Sequence, residues 1–490
     1  MLIILTLLLP LLGGAAMSFI RFPSGKARAI YVEAIVCATS LMVLSLLVTR
    51  TQETLILYHL IDKLPLAFRL DGPACLFAGL VAALWPIASL YAFEYMKHEE
   101  RENSFMAWYT MSYAATLAVA FSANLFTLYV FYECLTLVTL PLVIHKKDAM
   151  SIRAGRKYLT YSITGAAFAF IALVVIFFVS GTTDFTLGGV LTAELSSSHE
   201  AMLLGVFLLA FIGFGTKAAV FPMHAWLPAA SVAPTPVTAL LHAVAVVNTG
   251  AFAVLRVIYY AFGTDFLAGT WAHYAALLLA CVTIVFGSSM AVKEQHLKRR
   301  LAWSTISNLS YMLMGAALMS PAGMVGSLTH MVMHGVTKIT LFYCAGAILV
   351  RTGKEYIQDV RGYGKLMPVT CAAFVVAGMS LVGTPPLSGF VSKFNLLTAA
   401  AANGTWLGIV AIAALIVSAI LTAIYLFTVI GPMYFRPLNA DMAQLKDFNR
   451  DPNWMMLVPF VLLIAAVIGL GLWGGPLVSF LKDVATGVTF

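Results

Sequence analysis

Apolar runs about twenty residues long recur from one end of the chain to the other, separated by short polar connections. They fall at roughly 2–20, 30–49, 73–93, 106–121, 123–144, 158–179, 202–221, 236–262, 273–292, 301–319, 323–350, 368–402, 406–434 and 455–481. Each run is apolar all round rather than along one stripe, and each has about the length that crosses a hydrocarbon layer as a helix. The strands of a transmembrane barrel would be about half as long and would alternate apolar with polar residues. The pattern therefore predicts an all-α polytopic membrane protein with about fourteen transmembrane helices. Glycine and proline interrupt two runs, near 222 and near 383–389, which predicts two broken helices. The longest polar connections are about 20 residues, so 1–490 reads as a single integral membrane domain with no soluble one.

Composition agrees. Hydrophobic residues are 61% of the 490, charged residues 10%, and mean hydropathy is +0.93. A soluble domain carries about a quarter charged residues. A water-soluble protein is excluded, as are disordered, collagenous and coiled-coil chains. Met1 to Ile20 lacks a basic leading segment and reads as a first transmembrane helix rather than a signal peptide. The six cysteines are scattered, with no metal-ligand or cluster spacing, and read as small apolar core residues.

The net charge of +8 is explained by topology and calls for no nucleic acid. Twenty-one Lys and Arg fall in the connections after the odd-numbered spans, from Arg21 to Arg450. The opposite side holds only Arg50, Lys63, Arg69 and Lys482. Basic residues gather on the cytoplasmic side, so both termini are predicted outside.

Four basic residues remain within apolar runs: Lys217, Arg256, Lys338 and Lys393. Glu133 is the acidic residue well inside one, and His242, His330 and His334 also lie within runs. A charge at the bilayer centre costs roughly 2.5–3.5 kcal/mol on insertion scales, so such residues are functional candidates by default. Glu133 is either half of an ion pair with a neighbouring helix or a proton carrier. Lys217 precedes Pro222 at a helix break, where freed backbone must line protein or water; its alternative is to reach an interface. His330, His334 and Lys338 stand at i, i+4 and i+8, one stripe about 12 Å long, as a proton relay would. Metal binding by the two histidines lacks a third ligand. Gly383 to Gly389, with Pro385 and Pro386, breaks the twelfth run one turn before Lys393. Two broken helices, each with a lysine, suggest an inverted-repeat transporter. Arg256 lies toward the end of its run and is expected to snorkel. Gly469-Leu470-Gly471-Leu472-Trp473-Gly474 matches a dinucleotide-binding pattern but follows no strand, so that reading fails.

Longer motifs carry a resemblance. Phe221-Pro222-Met223-His224-Ala225-Trp226-Leu227-Pro228, then Ala233-Pro234-Thr235-Pro236-Val237-Thr238-Ala239-Leu240-Leu241-His242, is similar to the signature of the proton-translocating antiporter family. That family includes the antiporter-like subunits of respiratory complex I and of membrane-bound energy-converting hydrogenases, and the large subunits of Mrp-type Na⁺/H⁺ antiporters. Leu297 to Asn308, His330 to Lys338 and Leu381 to Lys393 also match, so the resemblance covers roughly residues 65 to 435.

The resemblance implies two inverted five-helix repeats, 105–262 and 273–435, preceded by three helices in 1–104 and followed by one at 455–481. It implies that Glu133 is the carboxylate of the fifth span, Lys217 its partner on the seventh, and Lys393 the exit-side lysine on the twelfth. His242, His330, His334 and Lys338 would form the central relay, with Pro222, Pro385 and Pro386 as broken-helix elements. Where one subtype has a lysine before Thr249-Gly250, this chain has Asn248, and His242 is a candidate to carry the proton instead. The expected role is a proton-translocating subunit of a redox-driven complex, complex I-like or hydrogenase-like, in a prokaryotic plasma (inner) membrane. The alternative is an Mrp-type subunit, for which Na⁺ accompanies H⁺; a non-pumping structural partner and a bicarbonate-uptake partner are weaker options. No cofactor is expected in this chain; Fe–S, flavin or Ni–Fe centres would belong to partners. The expected partners are lipid, other antiporter-like membrane subunits and a peripheral redox arm.

Overall fold

The computed structural model describes residues 1–50, 53–438 and 451–488. Among them are seventeen helices of nine residues or more. The first half holds α1 (Leu2–Ala16), α2 (Gly25–Thr49), α3 (Gly72–Met96), α4 (Glu102–Ala120), α5 (Leu125–Val143), α6 (Ala149–Ser180), α7 (Glu200–Gly215), α8 (Thr235–Ala243) and α9 (Val246–Arg256). The second holds α10 (Trp271–Lys293), α11 (Leu297–Ala317), α12 (Pro321–Thr352), α13 (Pro368–Val382), α14 (Ser388–Ala402), α15 (Trp406–Phe435), α16 (Trp454–Leu472) and α17 (Gly475–Thr486). Eight are long and apolar enough to cross a membrane: α2, α3, α5, α6, α10, α12, α15 and α16. Large apolar side chains on α6, α15 and α16, such as Phe178, Ile420 and Val461, face outward, as a lipid-facing surface requires.

Polar residues at the edges of the apolar runs set the helix starts. Ser24, Asp71, Asn124, Asp148, Thr270 and Ser320 are extended, and each side chain accepts a hydrogen bond from the backbone three residues on. Gly181 and Gly353 end α6 and α12 in the left-handed conformation. The α12 helix is the axle of the molecule. It is buried almost throughout and packs against α3, α8, α11, α13, α14, α16 and α17.

Four features differ from the sequence expectation. A hairpin, β1 (Leu55–Ile61) with β2 (Leu64–Phe68), qualifies the all-α reading. It is tied to the start of α5, where Asn124 Nδ2 donates to the Pro65 carbonyl at 2.9 Å and the Ala67 amide to Thr127 Oγ1 at 2.9 Å. The eighth run is interrupted at Val244–Ala245, between α8 and α9, and α9 continues into a wider-wound stretch, Val257–Phe262. The last run divides into α16 and α17 at Trp473 and Gly474. Finally, Arg256 does not snorkel. It is fully buried and forms a two-point ion pair with Asp71 at the start of α3, flanked by the rings of Phe185, Phe252 and Tyr260. Lys446 and Arg450, which contribute to the charge asymmetry, lie outside the described residues.

The two breaks expected near 222 and 383–389 are present as helix ends. The α7 helix stops at Gly215, and α13 and α14 are separated by Gly383 to Leu387. Gly383 adopts φ +99°, which favours glycine. Gly389 is required by close approach, because a Cβ there would collide with the Ser380 carbonyl while its amide donates to Ser380 Oγ at 3.0 Å. Gly389→Ala should therefore push the half-helices apart at a cost of about 1–3 kcal/mol. Thermal unfolding of the purified protein in detergent should show a lowered midpoint; an unchanged midpoint would mean that the junction yields freely.

Candidate functional site

The seventh-run break places Lys217. After α7 the chain turns tightly. The Thr216 hydroxyl donates back to Ile212 at 2.9 Å, Trp226 Nε1 donates to the Thr216 carbonyl at 2.8 Å, and Ala219 takes φ +57°. Gly250 of α9 lies against this turn, and a side chain there would strike the Ala218 amide. Lys217 is thus fully buried, with Nζ donating to the Tyr132 carbonyl of α5 and lying 3.6 Å from the centre of the Tyr132 ring. Glu133 is the next residue of α5. Its Oε1 is buried without a hydrogen-bond partner, and the ion pairs among the described residues do not join it to Lys217. The two neighbours are in the same place but in an open arrangement, with the ammonium on a peptide oxygen.

The twelfth-run break places Lys393. Its Nζ donates to the carbonyls of Leu381, at 2.7 Å, and Val382, at 3.0 Å. These are the last two residues of α13, whose carbonyls the break leaves without helical partners, at the negative end of the helix dipole. Pro385 and Pro386 lie in the turn between the half-helices, and Pro222 follows the Lys217 turn; the Phe221–Pro222 and Pro385–Pro386 peptides are both cis.

The α12 stripe meets the Lys393 break at its His330 end. The His330 and His334 rings stack with centres 5.8 Å apart. His330 Nδ1 lies 3.0 Å from Ser392 Oγ, the residue before Lys393, and its ring meets Tyr311 edge-on at 5.3 Å. Lys393 Nζ is 5.4 Å from the Tyr311 ring centre. One turn beyond His334, Lys338 donates to the Leu301 carbonyl at 2.9 Å and to Ser304 Oγ, both on α11. The ion pairs among the described residues include neither Lys338 nor Lys393. Neutral oxygens hold both lysines.

His242 lies on α8, and its side chain is outside the described residues. The next residue, Ala243, packs directly on the stripe: its carbonyl would be 3.2 Å from a Cβ at Gly335, beside His334. Asn248 has a local task. Its Nδ2 donates to the Ala243 carbonyl at 2.7 Å, a group freed by the α8–α9 interruption. Asp71, Tyr132 and Tyr311 escaped the sequence reading because they sit at a run edge or look ordinary for a membrane helix, and Ser304 and Ser392, though inside matching motifs, were given no role. The available signal was position for Asp71, at a span start, and for Tyr132, beside Glu133; Tyr311 carried none.

At the basic face, Glu355 lies 3.6 Å from His296 Nε2 and 3.9 Å from Lys298 Nζ. The His296 contact and the Lys298 charge hold its carboxyl well below the usual range, at about 2, against partial burial. It stays ionised near neutral pH, which suits an anchor for this end of α11 rather than a proton carrier. Among the described residues no group of three His, Cys, Asp or Glu side chains is placed to hold a metal ion.

Residues 122–422 match the family described as NADH:quinone oxidoreductase/Mrp antiporter, TM. The NADH-quinone oxidoreductase subunit N of Desulforudis audaxviator is 33% identical over 413 residues, 82% of this chain and 80% of that one. One of the Na(+)/H(+) antiporter subunits of Alkalihalophilus pseudofirmus is 30% identical over 422 residues, but this chain spans only 51% of its length. A chain from the membrane-bound sulfane sulfur reductase, an archaeal respiratory membrane complex, superposes with a TM-score of 0.84 at 21% identity, covering 99% of this chain and 97% of that one. That last likeness speaks to the fold.

Proposed function

This chain belongs to the NADH:quinone oxidoreductase/Mrp antiporter transmembrane family, and from that premise we propose that it is a proton-translocating, antiporter-like subunit of a multi-subunit, redox-driven ion-pumping complex. The observation that carries the reading is the line of buried basic groups, Lys217, the His330–His334–Lys338 stripe and Lys393, each beside a helix break or another helix's oxygen atoms. A purely structural core has no use for lysines at this burial.

Protons pass from Lys217 to the central group, with His242, His330, His334 and Lys338, and then to Lys393, with water bridging the gaps. When Glu133 swings toward Lys217, the lysine keeps its proton. When Glu133 is drawn away or neutralised, the proton moves on to the stripe. The α7 and α13–α14 breaks occupy corresponding places in two inverted repeats, 105–262 and 273–435, within a fourteen-span architecture. The charge asymmetry supports a plasma-membrane protein with both termini outside. Electrons travel through partner subunits that carry the redox centres, and other antiporter-like membrane subunits flank this one.

The likeness to a component of an Na(+)/H(+) antiporter supports the second reading, an Mrp-type role without redox chemistry. Copurification of the tagged chain from its native membrane in gentle detergent, with mass spectrometry of what comes with it, separates the two. Iron–sulfur, hydrogenase-like or quinone-reducing partners support the redox reading; small hydrophobic antiporter subunits alone would replace it with the Mrp reading.

A further inference from the structure

Hydroxyl groups of α11 form a second polar lane that begins at Lys338 of α12 and runs along α10 and α15. Ser304, Ser307 and Tyr311 stand at i, i+3 and i+7 on one face of α11, and all three are fully buried. At one end Lys338 donates to Ser304 Oγ. At the other the Tyr311 ring meets His330 edge-on and lies 5.4 Å from Lys393 Nζ. Tyr311 Oη donates to Ser418 Oγ of α15 at 2.6 Å. Ser418 Oγ is 3.0 Å from Ser307 Oγ and 2.5 Å from Ser288 Oγ of α10, and Ser288 and Ser307 are 2.7 Å apart.

The bonding of these three serines is unusual for helix interiors. Buried hydroxyls on helices ordinarily bond back to a carbonyl one turn earlier, as Ser304, Thr305 and Thr422 do here. Ser288, Ser307 and Ser418 instead bond to one another across three helices, and in each of those pairs either oxygen can be the donor. A closed set of hydroxyls with reversible donor sense can pass a proton. One arrives on an oxygen lone pair as that oxygen's own proton leaves for the next.

Resting on the proton-pumping reading above, we infer that the Ser304–Ser307–Ser418–Tyr311 hydroxyls are a second proton path between Lys338 and Lys393, parallel to His330 and His334. Lys338 gives up one proton and becomes neutral. The Tyr311 hydroxyl first turns from donor to acceptor toward Ser418; each hydroxyl then gains one proton and loses one, and neutral Lys393 becomes an ammonium. No carbon–oxygen bond changes and no electron moves. Water closes the one-turn step from Ser304 to Ser307 and the step from Tyr311 to Lys393.

The test uses the complete complex purified from its native membrane and reconstituted in vesicles, with proton flux read per assembled complex in H₂O and D₂O. Ser418→Ala removes the shared oxygen and is expected to lower flux about tenfold, less than the roughly hundredfold typical of losing an acid–base group because the histidine lane remains. It should also change the solvent isotope effect. Ser418→Thr, which keeps a hydroxyl, should restore both. Tyr311→Phe, which keeps the ring packing, should reproduce the loss and serves if Ser418→Ala fails to assemble. Lys393→Ala is the control for the underlying reading. If it abolishes flux while Ser418→Ala and Tyr311→Phe match the wild type, the hydroxyl path is wrong and the pumping reading stands. If Lys393→Ala itself leaves flux unchanged, both fall.

Discussion

Replacing Lys217 with alanine is expected to reduce proton transport to about one-hundredth or less, the range set by loss of a positioned acid–base group, while the protein still assembles. The expectation follows from what the ammonium touches. Its partners are a peptide carbonyl and the face of the Tyr132 ring, so its removal strands no opposite charge in an ion pair. The Tyr132 hydroxyl keeps its own bonds to the Phe214 carbonyl at 3.0 Å and, more weakly, to that of Gly213 at 3.4 Å, so α5 and α7 remain joined. Glu133 can accept a proton in place of its lost neighbour. Lys217→Met fills nearly the same space and should behave alike, separating the loss of the amine from the loss of volume. Normal flux from either variant, measured on assembled complex, would remove Lys217 from the path.

Arg256 should show the opposite profile, a large loss of stability. It is fully buried, and its guanidinium meets both Asp71 oxygens. Arg256→Ala leaves that carboxylate with the Ala74 amide and, at 3.7 Å, Arg69. Removing one partner of a buried pair costs about 3–5 kcal/mol, because the remaining charge has lost its compensation. Arg256→Met and Asp71→Asn should each lower the thermal midpoint and the amount of protein reaching the membrane. The double variant should be less damaged than the sum of the two, since neither charge is then stranded. Additive losses in that cycle would show that the pair contributes nothing beyond its separate packing. The pair joins the C-terminal end of α9 to the start of α3, so it braces the first half of the molecule rather than carrying protons.

These cases show which parts could be read from the sequence and which could not. Lys217 and Lys393 were legible because glycine and proline mark their breaks locally, and a lysine beside a break in an apolar run has few reasons to be there. The α12 stripe was legible because its spacing is a property of one helix. Arg256 was misread because its partner lies 185 residues away and at the edge of another run, where an aspartate looks like an ordinary loop residue. The Val244–Ala245 interruption contains neither glycine nor proline; the Asn248 side chain, which bonds to the Ala243 carbonyl across it, is a local partner that carries no helix-breaking signal. The hairpin at 55–68 sits in a stretch that the membrane-span pattern treats only as a connection. Glu133 and Lys217 were expected to meet as carboxylate and ammonium. Their neighbourhood was legible, but the turn of the lysine toward the Tyr132 carbonyl depends on how α5, α7 and α9 pack.

The central claim is that protons cross the membrane through this chain by way of its buried lysines. The most direct measurement is proton flux into sealed vesicles holding the native complex, recorded together with turnover of the driving reaction and with Lys338→Ala compared against the wild type. Lys338, which the proposal places in the central group, is fully buried on α12 and bonded to α11. The account predicts that Lys338→Ala lowers the number of protons moved per turnover in assembled complex. An unchanged ratio would contradict it and leave this chain a scaffold beside a pump located elsewhere.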